Sequence, residues 1–493
     1  MSNKIILGKG AYGIVYTFFN SSKAYKELNI QDLSWIREIS YVKYLNHPNI
    51  IKFHDIQHII NDYNEKCVVI EMDRYDTTLS NLNMRNDIDI LKIIDNLLSA
   101  SMYCQNHLIF HRDIKDANIL LNNGKDHIKE VIIMDFGLSM YNYPNVISTS
   151  NVLTVTHSPP EVEISKQKNG YIQYDSRIDT WSIGIIILNI ICRSNFSEFL
   201  TSGSFSNKLY FDYGDDINNM LQYCNGNEVC AMYQFILTNP DVFLNCVKKY
   251  FIKNHSPLKY QDFYIRILEK CFTSYNTRPT PKQLYQFFEN EKKTIKPYIK
   301  VDLSFFDKTF GTSLSFSDKT FGTSLTFSDK TFGAGMKDLP YLTWSVDDVI
   351  YPTKKMIELQ SHLDDPAEII KKYNINLNNK LENKSVQNKI HYNIYHNIHK
   401  KSYNNIYIYD SYINLYNYVE QCINFTNINE KFIVSIYCYM IVESILTDFQ
   451  VNVSYYQQTI LLIDKIYDIN TIYDNLFNIM ELVNFNPILY FSK

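Results

Sequence analysis

Ile5–Leu7 and Ile14–Tyr16 are brief apolar runs on either side of a glycine-rich stretch, and their length predicts two strands. From Asp32 the period changes. Ile36, Ile39, Val42 and Leu45 recur at helical spacing, and Pro48 stops the helix they predict. Ile50, Ile51 and Phe53, then Cys67–Ile70, read as strands. Leu108–Phe110 and Ile119–Leu121 flank a charged stretch, and Val131–Met134 is a further strand candidate. Ile183–Ile191 is apolar almost throughout, the mark of a buried helix. Near the end, Ile413, Tyr416 and Val419 mark one helix and Phe432–Ile445 a nearly all-apolar one. Gln457–Ile466 and Ile472–Val483 predict two more, whereas Lys380–Asn404 is polar and loop-like. No uninterrupted apolar run reaches membrane-spanning length.

Between the two patterned regions lies an eleven-residue repeat, Leu303–Ser313, Leu314–Ser324 and Leu325–Gly335, each copy carrying Phe-x-Asp-Lys-Thr-Phe-Gly. An eleven-residue period can mean a right-handed coiled coil. Gly311, Gly322 and Gly333 among many Ser and Thr argue against helix, so the repeat reads as a linker or as a phenylalanine-based docking segment. The expected organisation is 1–293, a linker over 294–335, and a helical accessory region over 336–493.

Composition narrows the class. A formal charge of −4 provides no basic field for nucleic acid and no polybasic membrane patch. Nine cysteines without a C-x-x-C pair fit reduced, buried thiols. Met1–Lys9 lacks the apolar core of a signal peptide, so the expected location is intracellular, cytoplasm or nucleus.

The candidate chemistry centres on His111-Arg112-Asp113-Ile114-Lys115-Asp116-Ala117-Asn118. Asp113 can accept a proton from a hydroxyl, Lys115 can neutralise a transferring phosphate, and Asn118 can hold a metal ion. Upstream, Gly8-Lys9-Gly10-Ala11-Tyr12-Gly13 joins two β-rich runs, with Val15 just beyond. A phosphate-covering hairpin requires that context, since glycines let backbone N–H groups approach phosphate oxygens. Lys26 closes an Ala-x-Lys triplet in a strand-like segment and is the candidate phosphate-binding lysine, with Lys23 as its rival. Glu38 is the natural ion-pair partner for Lys26. Glu71, Met72 and Asp73 follow a strand, where backbone groups can hydrogen-bond an adenine.

On these motifs, residues 1 to about 290 resemble a eukaryotic-type protein kinase, nearest the cyclin-dependent kinases. Ser34-Trp35-Ile36-Arg37-Glu38 is similar to the cyclin-binding helix of that family, and Leu45–Ile51 to its Leu-Asn-His-Pro-Asn-Ile-Val run. Asp135-Phe136-Gly137, Pro159-Pro160-Glu161, Asp179–Gly184 and Arg278 continue the family's motifs in order. The resemblance implies an α+β, bilobal kinase fold followed by a mostly α-helical domain, with ATP and Mg²⁺ as cofactors and proteins as substrates. It implies Asp113 and Lys115 as catalytic residues, Asn118 and Asp135 as metal ligands, and structural roles for Glu161, Asp179 and Arg278. Lys115 and Thr154 match the serine/threonine-specific pattern. The alternative reading is a pseudokinase scaffold that binds partners through the kinase fold and helical tail.

Regulation carries over in part. Thr149 stands at the offset of the activating threonine, with Ser148 and Ser150 as alternatives. Arg37 and Arg112 match two of three phosphate-binding arginines, which predicts a weakened cradle, because no Arg or Lys occurs between Gly137 and Lys166. Tyr12 matches an inhibitory tyrosine, while Ala11 replaces the neighbouring threonine. Thr156-His157-Ser158 replace the family's Trp-Tyr-Arg, so proline-directed choice does not carry over. The ending Leu476–Asn486 resembles the last helix of a cyclin box, with Glu443 near the position of a kinase-gripping glutamate and no clear partner lysine. Two readings stand for the tail, a cyclin-like region and an unrelated helical domain, and two for the activating partner, a separate cyclin and the chain's own C-terminal region.

Overall fold

The computed structural model describes residues 4–141 apart from 11–12, 62, 83–85 and 125–126. It further describes 148–149, 157–159, 161–162, 171–172, 175–192, a few positions between 214 and 245, and 258–295. Near the end it describes 406–425, 428–447, 451, 453–461 and 468–491. Ala11, Tyr12, Ser150, Thr154, Thr156, the 303–335 repeat and the side chain of Thr149 lie outside the described residues.

The N-terminal part is a five-stranded antiparallel sheet ordered β1-β2-β3-β5-β4. Its strands are β1 (Lys4–Gly10), β2 (Gly13–Phe18), β3 (Lys23–Asn29), β4 (Phe53–Ile60) and β5 (Lys66–Asp73), and helix α1 (Ser34–Tyr44) crosses between β3 and β4. The helix is buried on more than one face: Trp35, Ile36, Ile39 and Tyr41 have no exposed surface. A helix buried that way needs packing partners on both sides. The rest of the molecule supplies the second.

Helix α2 (Asp87–Asn106) starts at Asn86, whose side chain accepts from the Asp89 N–H at 2.8 Å and so caps it. It delivers the chain to a set of short strands. These are β6 (Thr77–Thr78), β7 (Ile109–Phe110), β8 (Ile119–Asn123), β9 (Ile128–Ile133) and β10 (Met140–Tyr141), in a β6-β8-β9 sheet and a β10-β7 pair. A further pair, β11 (Ser148–Thr149) with β12 (Tyr171–Ile172), precedes α3 (Arg177–Cys192). The near-uniform apolarity of α3 is matched by burial of Ile183 and Ile185–Leu188. Helices α4 (Gln261–Cys271) and α5 (Pro281–Ile295) pack with α2 and α3.

Among the described residues after 405 stand four helices, α6 (Ile406–Cys422), α7 (Ile428–Leu446), α8 (Val453–Leu461) and α9 (Ile469–Leu482), and then a 3-10 turn over Pro487–Tyr490. Each covers a segment with predicted helical patterning, although residues 462–466 of the third prediction lie outside the described set. Helix α7 is the centre of this group, buried from Ile436 to Leu446. The architecture is α+β, a sheet-based N-terminal region and then helices. Among the described residues no helix is long and apolar enough to cross a membrane.

Candidate active site

The glycine stretch folds as the β1–β2 hairpin, with Gly10 opposite Gly13, Lys9 opposite Ile14 and Gly8 opposite Val15. Gly13 is demanded by packing, because a Cβ there would collide with the Glu27 carbonyl. Gly8 and Gly10 are different: a Cβ at either would meet no protein atom within 4 Å. The chain's own packing leaves them free to be larger, so close approach of a ligand is the physical reason that remains for glycine there.

Register sets the lysine. Val15 on β2 pairs with Lys26 on β3, and Lys26 pairs with Ile70 on β5. Its Nζ lies 2.7 Å from both Glu38 carboxylate oxygens and 3.2 Å from Asp135 Oδ1. Burial works against the ammonium, but the Glu38 and Asp135 carboxylates outweigh it, and the Lys26 pKa is raised. Lys23, the rival, turns elsewhere and pairs with Asp73 at 2.8 Å. Glu71, Met72 and Asp73 are the last residues of β5, in register with Tyr25, Ala24 and Lys23. The chain leaves the sheet after them, where the Arg74 N–H donates to Ser22 O at 2.9 Å.

The catalytic-loop candidates lie between β7 and β8. Asp113 Oδ2 accepts from Lys115 Nζ at 2.6 Å and from Asn118 Nδ2 at 2.9 Å. Asn118 Nδ2 also donates to the Asp113 carbonyl at 2.9 Å. With the amide nitrogen committed, Oδ1 is the Asn118 atom left for a cation. The Met134 N–H donates to the Asn118 carbonyl at 3.0 Å, which brings Asp135 alongside.

Asp135 adopts φ 68°, a left-handed conformation that Asp tolerates better than most residues. Burial would raise its pKa, but Lys26, then His111 and Lys115, hold it below the usual carboxylate value, so it stays ionised. An ionised carboxylate and an amide oxygen suit Mg²⁺, which keeps water and phosphate oxygens for the rest of its shell.

Two residues hold this loop: Asp179, to which the resemblance gives a structural role, and His111, which motif reading left in the background. Arg112 sits at φ 67°, and buried Asp179 fixes that backbone by accepting from the His111 and Arg112 N–H groups at 2.7 and 2.9 Å. His111 accepts from the Asp113 N–H at its Nδ1 (3.2 Å), so Nε2 carries the hydrogen donated to the Met134 carbonyl (3.0 Å). His111 thus ties the loop to the strand end that bears Asp135. Its ring also packs edge-on to Phe136, with centroids 4.6 Å apart.

Below, Arg278 and Glu161 form a bidentate buried pair at 2.6 and 3.1 Å. His157 Nε2 lies 3.1 Å from Asp116 Oδ2, which also accepts from Asn189 at 2.9 Å. Neighbours in the sequence motif do not reveal this side contact of the catalytic loop.

Comparison with known proteins gives the same direction. The protein kinase domain model matches residues 1–286. The chain is 32% identical over 160 residues to the carbon catabolite-derepressing protein kinase of Candida glabrata, a stretch covering 32% of this chain and 24% of that protein. It is 31% identical over 201 residues to the protein of the same name from Saccharomyces cerevisiae, covering 38% of this chain and 30% of that protein. The matched stretch therefore spans less than a third of the length of either relative.

Proposed function

Because the chain belongs to the protein kinase family, we propose that it is a protein serine/threonine kinase that moves the γ-phosphate of ATP to Ser and Thr hydroxyls. The observation that carries the proposal is the convergence of Asp113, Lys115 and Asn118 with a Lys26–Glu38–Asp135 cluster beneath the glycine hairpin.

In this reading Asp113 orients the acceptor hydroxyl and takes its proton as the oxygen attacks. Lys115 neutralises the transferring phosphoryl group, and ADP leaves. Lys26, held by Glu38, points its charge at the α- and β-phosphates, and the open faces of Gly8 and Gly10 let backbone N–H groups reach the phosphate tail. Bound Mg²⁺ supplies charge neutralisation between the phosphates, and Asn118 Oδ1 with the Asp135 carboxylate would hold it. Adenine would lie against Glu71–Asp73 and Val15, under the β1–β2 hairpin.

The finer assignment is nearest the cyclin-dependent kinases, supported by Ser34–Glu38 and Leu45–Ile51. With it come domain limits of 1–293, 294–335 and 336–493, regulatory roles for Thr149 and Tyr12, and a cyclin-like partner, separate or supplied by the chain's own tail. Transfer of labelled phosphate from ATP to a generic basic protein tests the activity, with Asp135→Asn as control. A strong signal lost in the variant is expected. An equal background in both would leave only a partner-binding scaffold.

A further inference from the structure

Helix α7 ends against α1. A helix leaves its last carbonyls without intrahelical partners. Those at the end of α7 are met by side chains from 404 to 410 residues earlier in the chain. Arg37 Nε donates to Ser444 O at 2.9 Å, Arg37 Nη2 donates to Thr447 O, and the Tyr41 hydroxyl donates to Ile445 O at 3.0 Å. Arg37 and Tyr41 are one helical turn apart on α1, and a guanidinium is well suited to the negative end of a helix dipole. Glu443, expected near this contact, is turned inward and accepts from Tyr456 at 2.7 Å. The backbone of the residues just after it makes the grip.

Helix α9 and the turn after it hold the other side. Phe477 packs 5.9 Å from the Trp35 ring and 5.3 Å from the His58 ring on β4. Asp474 pairs with Lys66 on β5 at 2.6 Å. Asn486 Nδ2 donates to Lys43 O at 3.1 Å. One group of helices therefore touches α1, β4 and β5 together. Glu38 follows Arg37 directly on α1, and β5 pairs with the strand that bears Lys26. Whatever fixes α1 against β5 fixes the Glu38–Lys26 distance.

We propose that residues 406–491 are a built-in activator of the kinase, docked on α1 in cis, with Arg37 a positioning residue that caps α7. This rests on the kinase reading above and deepens it: the partner of the α1 face is a segment of the same chain, recognised through helix-end carbonyls, the ring contacts of Phe477 and the Lys66–Asp474 ion pair.

The test uses the full chain and two readouts, phosphate transfer from labelled ATP and amide hydrogen exchange over 34–44. Asp474→Lys, which sets two lysines face to face, should cut transfer about tenfold and speed exchange in α1, and adding Lys66→Glu should restore both. Phe477→Ala should act in the same direction through the aromatic contact. Transfer unchanged in both single variants overturns the proposal. So does a loss of transfer with α1 protection unchanged, because the fault then lies elsewhere. Should the wild-type chain transfer no phosphate, the kinase reading fails, while exchange still decides the docking: α1 protection unmoved by Asp474→Lys overturns it.

Discussion

Lys26 is held by two carboxylates at once, and that fixes what its loss would do. Lys26→Met should lower phosphate transfer by about 10²–10³-fold, the range for removing one preorganised charge from a transition state, while Lys23→Met should leave the rate within about twofold. Initial-rate assays on both variants check this. The sequence left the two lysines open because both lie in the same strand-like segment. Pairing register separates them, and register depends on the partner strand. Asp113 and Asn118 were legible because their spacing is local. Asp179 beneath Arg112 was legible only through the family resemblance, since 67 residues separate it from that backbone. The hold of Arg37 on α7 was not legible at all, because its acceptors are main-chain carbonyls common to every residue type. With Arg37 engaged there, a phosphate on Thr149 has a thinner set of arginines to meet. Thr149→Ala should lower activity only about two- to fivefold in the same assay, and no change at all would remove Thr149 from the regulatory scheme.

Among the elements, α7 carries a buried acid. Burial pushes the Glu443 carboxyl up to about 7, with the Tyr456 hydroxyl pulling the other way. In the unfolded chain the group ionises near 4.5, so the folded form favours the proton. Its contribution is fully present below about 4.5 and is lost as pH rises towards 7. Glu443→Gln should therefore stabilise the chain at pH 8 by on the order of 3 kcal/mol, and by little at pH 4. Thermal melts of both chains across that window measure the difference. Helix periodicity located α1 and α9, because burial on a face leaves a repeat in the sequence, whereas α7 showed as a nearly all-apolar run. It did not show that α1 is covered on both sides. Trp35 and Tyr41 could equally have met solvent or another protein, and only the packed structure supplies Phe477 and the end of α7 as their neighbours.

For the whole molecule, the motif order pointed to the kinase family whose domain model matches residues 1–286. The relation between the kinase region and the tail was out of reach, because residues 296–405 say nothing of where the later helices return. Truncation after Gly335 would uncover Trp35 and Tyr41. It should abolish phosphate transfer unless a separate cyclin is added, which a reconstitution assay reads directly. Full activity of the truncated chain would count against any activating role for the tail.

The Lys66–Asp474 and Trp35–Phe477 contacts join parts of one covalent chain. A complex of two proteins dissociates on dilution, but an intramolecular contact is a first-order equilibrium that concentration does not move. Turnover per molecule should then stay level from micromolar to picomolar enzyme. A cell holding only a few copies would then keep the tail docked in each of them.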